Sequence, residues 1–217
     1  MSDPSESPDA AATPEGRLAA AWDRHVGADR QLLDAVISRH RERHRRYHTL
    51  SHVDVVVARV IELARVEDVT DHGALVAAAA YHDAVYEPRS PANERASARL
   101  ARRDLASAGW ETERLDRVEA MIIGTASHLD PTDADAAVLF DADLAVLASS
   151  DYDRYVEAVR DEYRHVGDDE WRSGRADVLR GFLDRARIYA TSAGFDRWES
   201  AARVNITDEL ASLTIGD

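Results

Sequence analysis

Ala74-Leu75-Val76-Ala77-Ala78-Ala79-Ala80-Tyr81-His82-Asp83 is the stretch that sets the reading of this chain. Leu75, Ala78, Ala79 and His82 recur at helical spacing, so the histidine lies on a face expected to be buried. Asp83 follows at once, and a carboxylate at the end of a nearly neutral helix is costly to desolvate unless a cation or hydrogen bonds compensate it. The same holds for Asp141 and Asp143, set inside the apolar run Ala136-Ala137-Val138-Leu139-Phe140-Asp141-Ala142-Asp143-Leu144. With His52 from a third segment, these groups offer imidazole nitrogen and carboxylate oxygen, a donor set suited to a divalent ion of the zinc, manganese, iron, cobalt or nickel type. Spacing alone leaves the third aspartate open. Asp143 shares a helical face with Leu139, Phe140 and Leu147, and Asp141 shares another with Val138, Leu144 and Ala145.

Outward from this stretch the chain reads as all-α. Helical periodicity appears at Leu18, Ala21, Trp22 and His25; at Leu32, Leu33, Val36 and Ile37; and at Leu115, Val118, Met121 and Ile122. Val53 to Val60 is rich in β-branched residues, but its spacing favours a helix, with Ser51 as its expected cap. Further helices are expected over 92–107, 133–148, 151–165, 175–191 and 196–213. The run Arg39-His40-Arg41-Glu42-Arg43-His44-Arg45-Arg46 reads as a solvated basic helix end, or alternatively as a phosphate-capturing segment through Arg45 or Arg46.

Composition sets the outer limits. With 217 residues, 45% of them hydrophobic, and only 10 Gly and 6 Pro, the expectation is one compact domain over 14–217 behind a flexible N-terminal tail at 1–13. The tail lacks the basic start and apolar stretch of a secretory signal, and no apolar run approaches the roughly 20 residues needed to cross a bilayer. A cytoplasmic protein without a membrane partner is therefore expected. Zero cysteine removes thiolate chemistry and cysteine-bearing zinc sites. All 27 basic residues are arginine, which removes Schiff-base lysine chemistry and P-loop phosphate binding. A net charge of -14 opposes adhesion to nucleic-acid polymers and favours a small substrate.

The ordered set His52, His82-Asp83 and a distant aspartate resembles the HD superfamily of metal-dependent phosphohydrolases. More narrowly, Arg46-Tyr47-His48-Thr49-Leu50-Ser51-His52, Tyr81-His82-Asp83-Ala84-Val85-Tyr86, Asn93-Glu94-Arg95-Ala96-Ser97-Ala98 and Asp141-Ala142-Asp143-Leu144 resemble the blocks of a bacterial branch of predicted HD phosphohydrolases. The likeness extends into Tyr155 to Tyr163 and Ala202-Arg203-Val204-Asn205, and so covers roughly residues 15 to 212.

The resemblance implies an HD-type helical bundle with one divalent metal ion (Mn, Co, Ni, Mg, Fe or Zn), held by His52, His82, Asp83 and Asp143. A second metal is open. The Ala-Asp-Leu context favours Asp143 as the ligand, leaving Asp141 to orient a ligating histidine or to accept a hydrogen bond in helix packing. Asp83, Glu94 or Asp141 would handle the proton, although Glu94 also fits as an acid placed in a first helical turn. Arg46 would bind phosphate. His128 would contact phosphate, serve a second metal, or simply close its helix. The implied activity is hydrolysis of a phosphate ester or anhydride in a small phosphorylated substrate such as a mononucleotide. A di-iron oxygenase and a noncatalytic nucleotide-binding module are the competing readings.

Overall fold

The computed structural model describes residues 12–214. Of the expected tail, residues 1–11 lie outside the described residues, while the Thr13 hydroxyl accepts from Gly16 N–H and caps the first helix. Among the described residues all regular structure is helical: α1 Pro14–Ala21, a π-helical turn Trp22–Val26, α2 Arg30–His40, α3 Leu50–Leu63, α4 His72–Tyr81, α5 Asn93–Ser107, α6 Thr112–Gly124, α7 Ala134–Leu144, a 3-10 turn Ala145–Ala148, α8 Tyr152–Glu162, α9 Asp168–Leu183 and α10 Ser192–Thr214. The fold is an all-α single domain, as its sequence implies.

α4 is the axis. Gly73 through Tyr81 are all buried, so this helix has no polar face and must be enclosed on every side. It packs against α2, α3, α5, α6, α7 and the π-helical turn. Its start is fixed by Asp71, which accepts from Ala74 N–H at 2.9 Å and is gripped by Arg114 at 2.7 and 2.9 Å. Fully buried Trp22, Leu33, Leu63, Leu75, Leu105, Ile122 and Leu139 fill the space around the axis, each worth about 1.5–3 kcal/mol relative to exposure.

A second, smaller core lies beneath α8, α9 and α10. Leu144, Leu147, Tyr152, Leu179, Ile188, Tyr189, Ala202 and Ile206 form it, and Trp198 packs against both cores.

Three local expectations change. The cap of α3 is Thr49, with Ser51 already inside the helix, because the chain enters extended at Thr49. The helix expected over 175–191 runs instead over Asp168–Leu183. Asp168, Asp169 and Glu170 occupy its first turn, where acids are favoured. Beyond it the backbone N–H groups are captured from a distance: Ile188 and Tyr189 donate to Glu199, and Ala190 and Thr191 to Asp141. The basic run also divides. α2 ends at His40, and Arg45 turns inward with its side chain fully buried.

Candidate metal centre

Three helix ends converge on one point. His52 lies in the first turn of α3, His82 is the C-cap of α4 with Asp83 directly after it, and Asp143 is in the last turn of α7. His52 Nε2 lies 3.2 Å from His82 Nε2, 3.4 Å from Asp83 Oδ2 and 3.2 Å from Asp143 Oδ1. His82 Nε2 lies 3.1 Å from Asp83 Oδ2 and 3.5 Å from Asp143 Oδ1. Ligands bound at about 2.0–2.2 Å in tetrahedral or octahedral geometry stand about 2.8–3.6 Å apart, so all five separations suit the edges of one coordination polyhedron.

The donor chemistry agrees with that geometry. Two imidazole nitrogens 3.2 Å apart cannot both carry a proton aimed at the other, whereas a cation between them lets both present lone pairs. His82 Nδ1 donates to Ala79 O at 2.8 Å, which fixes the tautomer leaving Nε2 free to bind a metal.

Burial lowers the proton affinity of both histidines, but the carboxylates outweigh it. Hydrogen bonds donated to Asp143 and Asp83 raise His52 above the usual imidazole range, and the charges of Asp83 and Asp143 hold His82 well above it. Conversely, burial pushes both acids up, yet the charge of His82 together with hydrogen bonds from the histidines holds them well below the usual carboxylate range. The enclosed carboxylates therefore demand positive charge, which a divalent ion can supply while displacing the imidazole protons.

Neighbouring residues fix this arrangement. His128 Nε2 meets Asp143 Oδ2 at 2.7 Å, from a backbone held at φ 51°, in the left-handed region that non-glycine residues rarely adopt. Its ring borders a separate cavity, away from the one above His52. Arg45 donates to the carbonyls of His48, Asp83 and Ala84, tying the segment after α2 to the turn that carries Asp83. Glu162, buried on α8, accepts the backbone N–H groups of Arg46, Tyr47 and His48. It also accepts from His48 Nδ1 at 2.6 Å, leaving His48 Nε2 3.9 Å from Asp83 Oδ2. Burial raises the Glu162 carboxyl, but the His48 hydrogen bond and charge and the backbone donors bring it down to about 2. Asn93 pairs with both backbone groups of Glu87, and Ser97 with both of Val85, pinning the loop behind Asp83.

The other expected residues divide. Asp141 points away from the cluster, accepting from Ala190 N–H, Thr191 N–H and the Thr191 hydroxyl at 2.6–2.8 Å. A side chain at Gly194 would collide with this carboxylate. Asp141 thus anchors the entry to α10, the packing role open to it from sequence, and neither of its oxygens is turned to the histidines. Glu94 is half-buried in the first turn of α5, with no ion pair or side-chain hydrogen bond to the cluster among the described residues. Arg46 borders a cavity of about 520 Å³ that reaches His52 and Asp143, but its Nε engages Asp161 at 2.7 Å.

Sequence reasoning passed over Glu162, although it is an acid on the same helical stripe as Tyr152, Tyr155 and Val159. Arg45 stands in the sequence only as an alternative to Arg46 for phosphate capture, whereas its side chain is buried against the backbone of the turn that carries Asp83.

Comparison with protein-family models, curated proteins and solved structures gives no match. The function must be argued from the centre itself.

Proposed function

We propose that this chain is a metal-dependent phosphohydrolase of the HD type, acting on a phosphate ester or anhydride in a small phosphorylated molecule. The observation that carries the reading is the convergence of His52, His82 and Asp83, with Asp143 3.2 and 3.5 Å from the two histidine Nε2 atoms. These four residues would hold the ion, which supplies, when bound, a Lewis acid for a phosphoryl oxygen and a lowered pKa for water.

The chain's own residues do the rest. His128 fixes Asp143, and Arg45 fixes the Asp83 backbone, so the donors are oriented before anything binds. Glu162 holds His48 at Nδ1, leaving Nε2 beside Asp83 to hold or release a proton. Asp83 and His48 take the proton-handling role here, since both oxygens of Asp141 are engaged elsewhere. The cavity over His52 and Asp143 is of a size for a small molecule, and Arg46 stands at its edge.

The test is elemental analysis of the purified chain beside His82→Ala, with turnover of a nucleotide and phosphometabolite panel after loading with Mn, Co, Ni or Mg. About one ion per chain and hydrolysis of at least one compound, both lost in His82→Ala, are expected. Metal-loaded protein that turns over nothing, or activity that survives His82→Ala, overturns the reading. Two irons with oxygen uptake would make the chain an oxygenase instead, and tight nucleotide binding without turnover would make it a binding module.

A further inference from the structure

Three arginines line the 520 Å³ cavity above His52 and Asp143, and they differ in what already holds them. Arg46 reaches Asp161 at 2.7 Å and the carbonyls of Arg43 and Arg45 at 2.6 and 3.0 Å. Arg59 reaches Glu62 at 2.7 Å and lies over the Trp198 ring, 5.9 Å from its centroid. Arg154, in the first turn of α8, makes no side-chain hydrogen bond or ion pair among the described residues. The carboxylates bordering the same cavity, Asp143 and Asp151, give it no partner: Asp143 is taken up by the histidines, and Asp151 makes no ion pair with Arg154.

We propose that Arg154 is the residue that receives the anionic group of the ligand in this cavity, a proposal that rests on the phosphohydrolase reading and assigns its phosphate contact. The physical difference lies in redirection. An anion arriving at Arg46 or Arg59 must compete with a carboxylate already in place, whereas the Arg154 guanidinium exchanges only water for phosphate oxygens. Its planar fork can engage two of those oxygens at once. A cation without a partner also sets direction: the phosphate is drawn to the α8 side of the cavity, which His52 and Asp143 line as well. Arg154 is exposed and lies outside both hydrophobic cores, so its replacement leaves the fold intact.

The experiment is calorimetric titration of manganese-loaded protein with orthophosphate, comparing wild type with Arg154→Gln, Arg154→Lys, Arg59→Gln and the distant charge control Arg180→Gln. Manganese content and thermal midpoint are measured on every variant. Arg154→Gln is expected to weaken orthophosphate binding by about 10-fold to 100-fold, the range for losing a charged hydrogen bond. Arg154→Lys should recover part of that loss, because it restores the charge without the fork. Arg59→Gln and Arg180→Gln should each change binding less than about 3-fold, as for exposed ion pairs. Wild-type binding retained in Arg154→Gln overturns the assignment, as does an equal loss in Arg180→Gln, which would show only the effect of net charge. Wild type that takes up manganese and hydrolyses a panel compound yet shows no such dependence on Arg154 overturns this inference alone. Failure of the hydrolase reading shows separately, as absence of metal or turnover in wild type.

Discussion

Beneath α8–α10, Arg175 and Glu209 meet as a two-pronged pair at 2.8 and 3.0 Å, with the Tyr152 hydroxyl on the same carboxylate at 2.6 Å. Where α3, α4 and α7 end, two imidazoles and two carboxylates meet with no guanidinium among them. Both centres are enclosed, and they are built oppositely. In the first, the guanidinium faces a carboxylate along two hydrogen bonds, so the charges cancel within the protein. In the second, two imidazole nitrogens face each other at 3.2 Å with both carboxylates beside them, so protons or a cation must stand between the groups. The difference is between a pair that is complete in itself and a convergent cluster that could hold an ion, as we propose.

The largest expected effect tests this directly. His82→Ala and Asp143→Asn should reduce bound divalent ion from about one per chain to background in elemental analysis, while Arg175→Met keeps it. Equal ion loss in a folded Arg175→Met protein would erase the distinction.

Stability should rank the other way. Arg175→Met leaves Glu209 buried and unpaired, so urea unfolding should show a loss of about 3–5 kcal/mol, most of it recovered in Arg175→Met/Glu209→Leu. Asp143→Asn, unfolded in chelator, should cost less than Arg175→Met, because the amide keeps an oxygen that can accept from His128 and leaves no buried charge unpaired. A larger loss at Asp143 would mean that the convergent centre is also a strut.

Asp141 offers a finer test, standing two residues from Asp143 on the same helix. Asp141→Asn should lower stability by about 1–3 kcal/mol through its lost acceptor role and leave ion content unchanged. Loss of the ion in this variant would return Asp141 to the centre. Gly194→Ala should resemble it, since the added methyl meets the same carboxylate.

A further test lies in the pH dependence. Burial, then the charge of Arg45, pushes His40 from 6.5 down to about 3. The unfolded chain therefore takes up this proton before the folded one does. The contribution is complete above about pH 6.5, and stability falls as pH drops toward 3, by about 1.4 kcal/mol per pH unit within that window. His40→Gln should flatten that part of an acid unfolding profile. An unchanged slope would place the acid sensitivity elsewhere.

Much of this was legible in the chain. The unbroken apolar run of α4 fixes a buried axis, and His82 at its end follows from the period. What periodicity could not supply was a partner distant in sequence. Apolar residues continue past Leu183 to Ile188 and Tyr189, so the pattern alone carries a helix too far. The segment leaves the helix because Asp141 and Glu199 take its backbone donors. Asp141 and Asp143 are likewise inseparable by composition, yet two steps along a helix turn a side chain about 200°. One faces the histidines and the other the entry to α10. Glu162 was visible as an acid on an apolar stripe, but not the turn of Arg46 to His48 that it holds.

The four consecutive alanines of α4, Ala77 to Ala80, act as a spacer gauge. Their methyl groups are the smallest side chains short of glycine, so neighbouring helices can approach α4 closely there. The reach of His52 from α3 and of Asp143 from α7 is cut to that thickness. Widening the axis by a few methylenes would push those helices apart and draw His52 and Asp143 away from His82. The spacing of the cluster thus depends on residues that lie outside it.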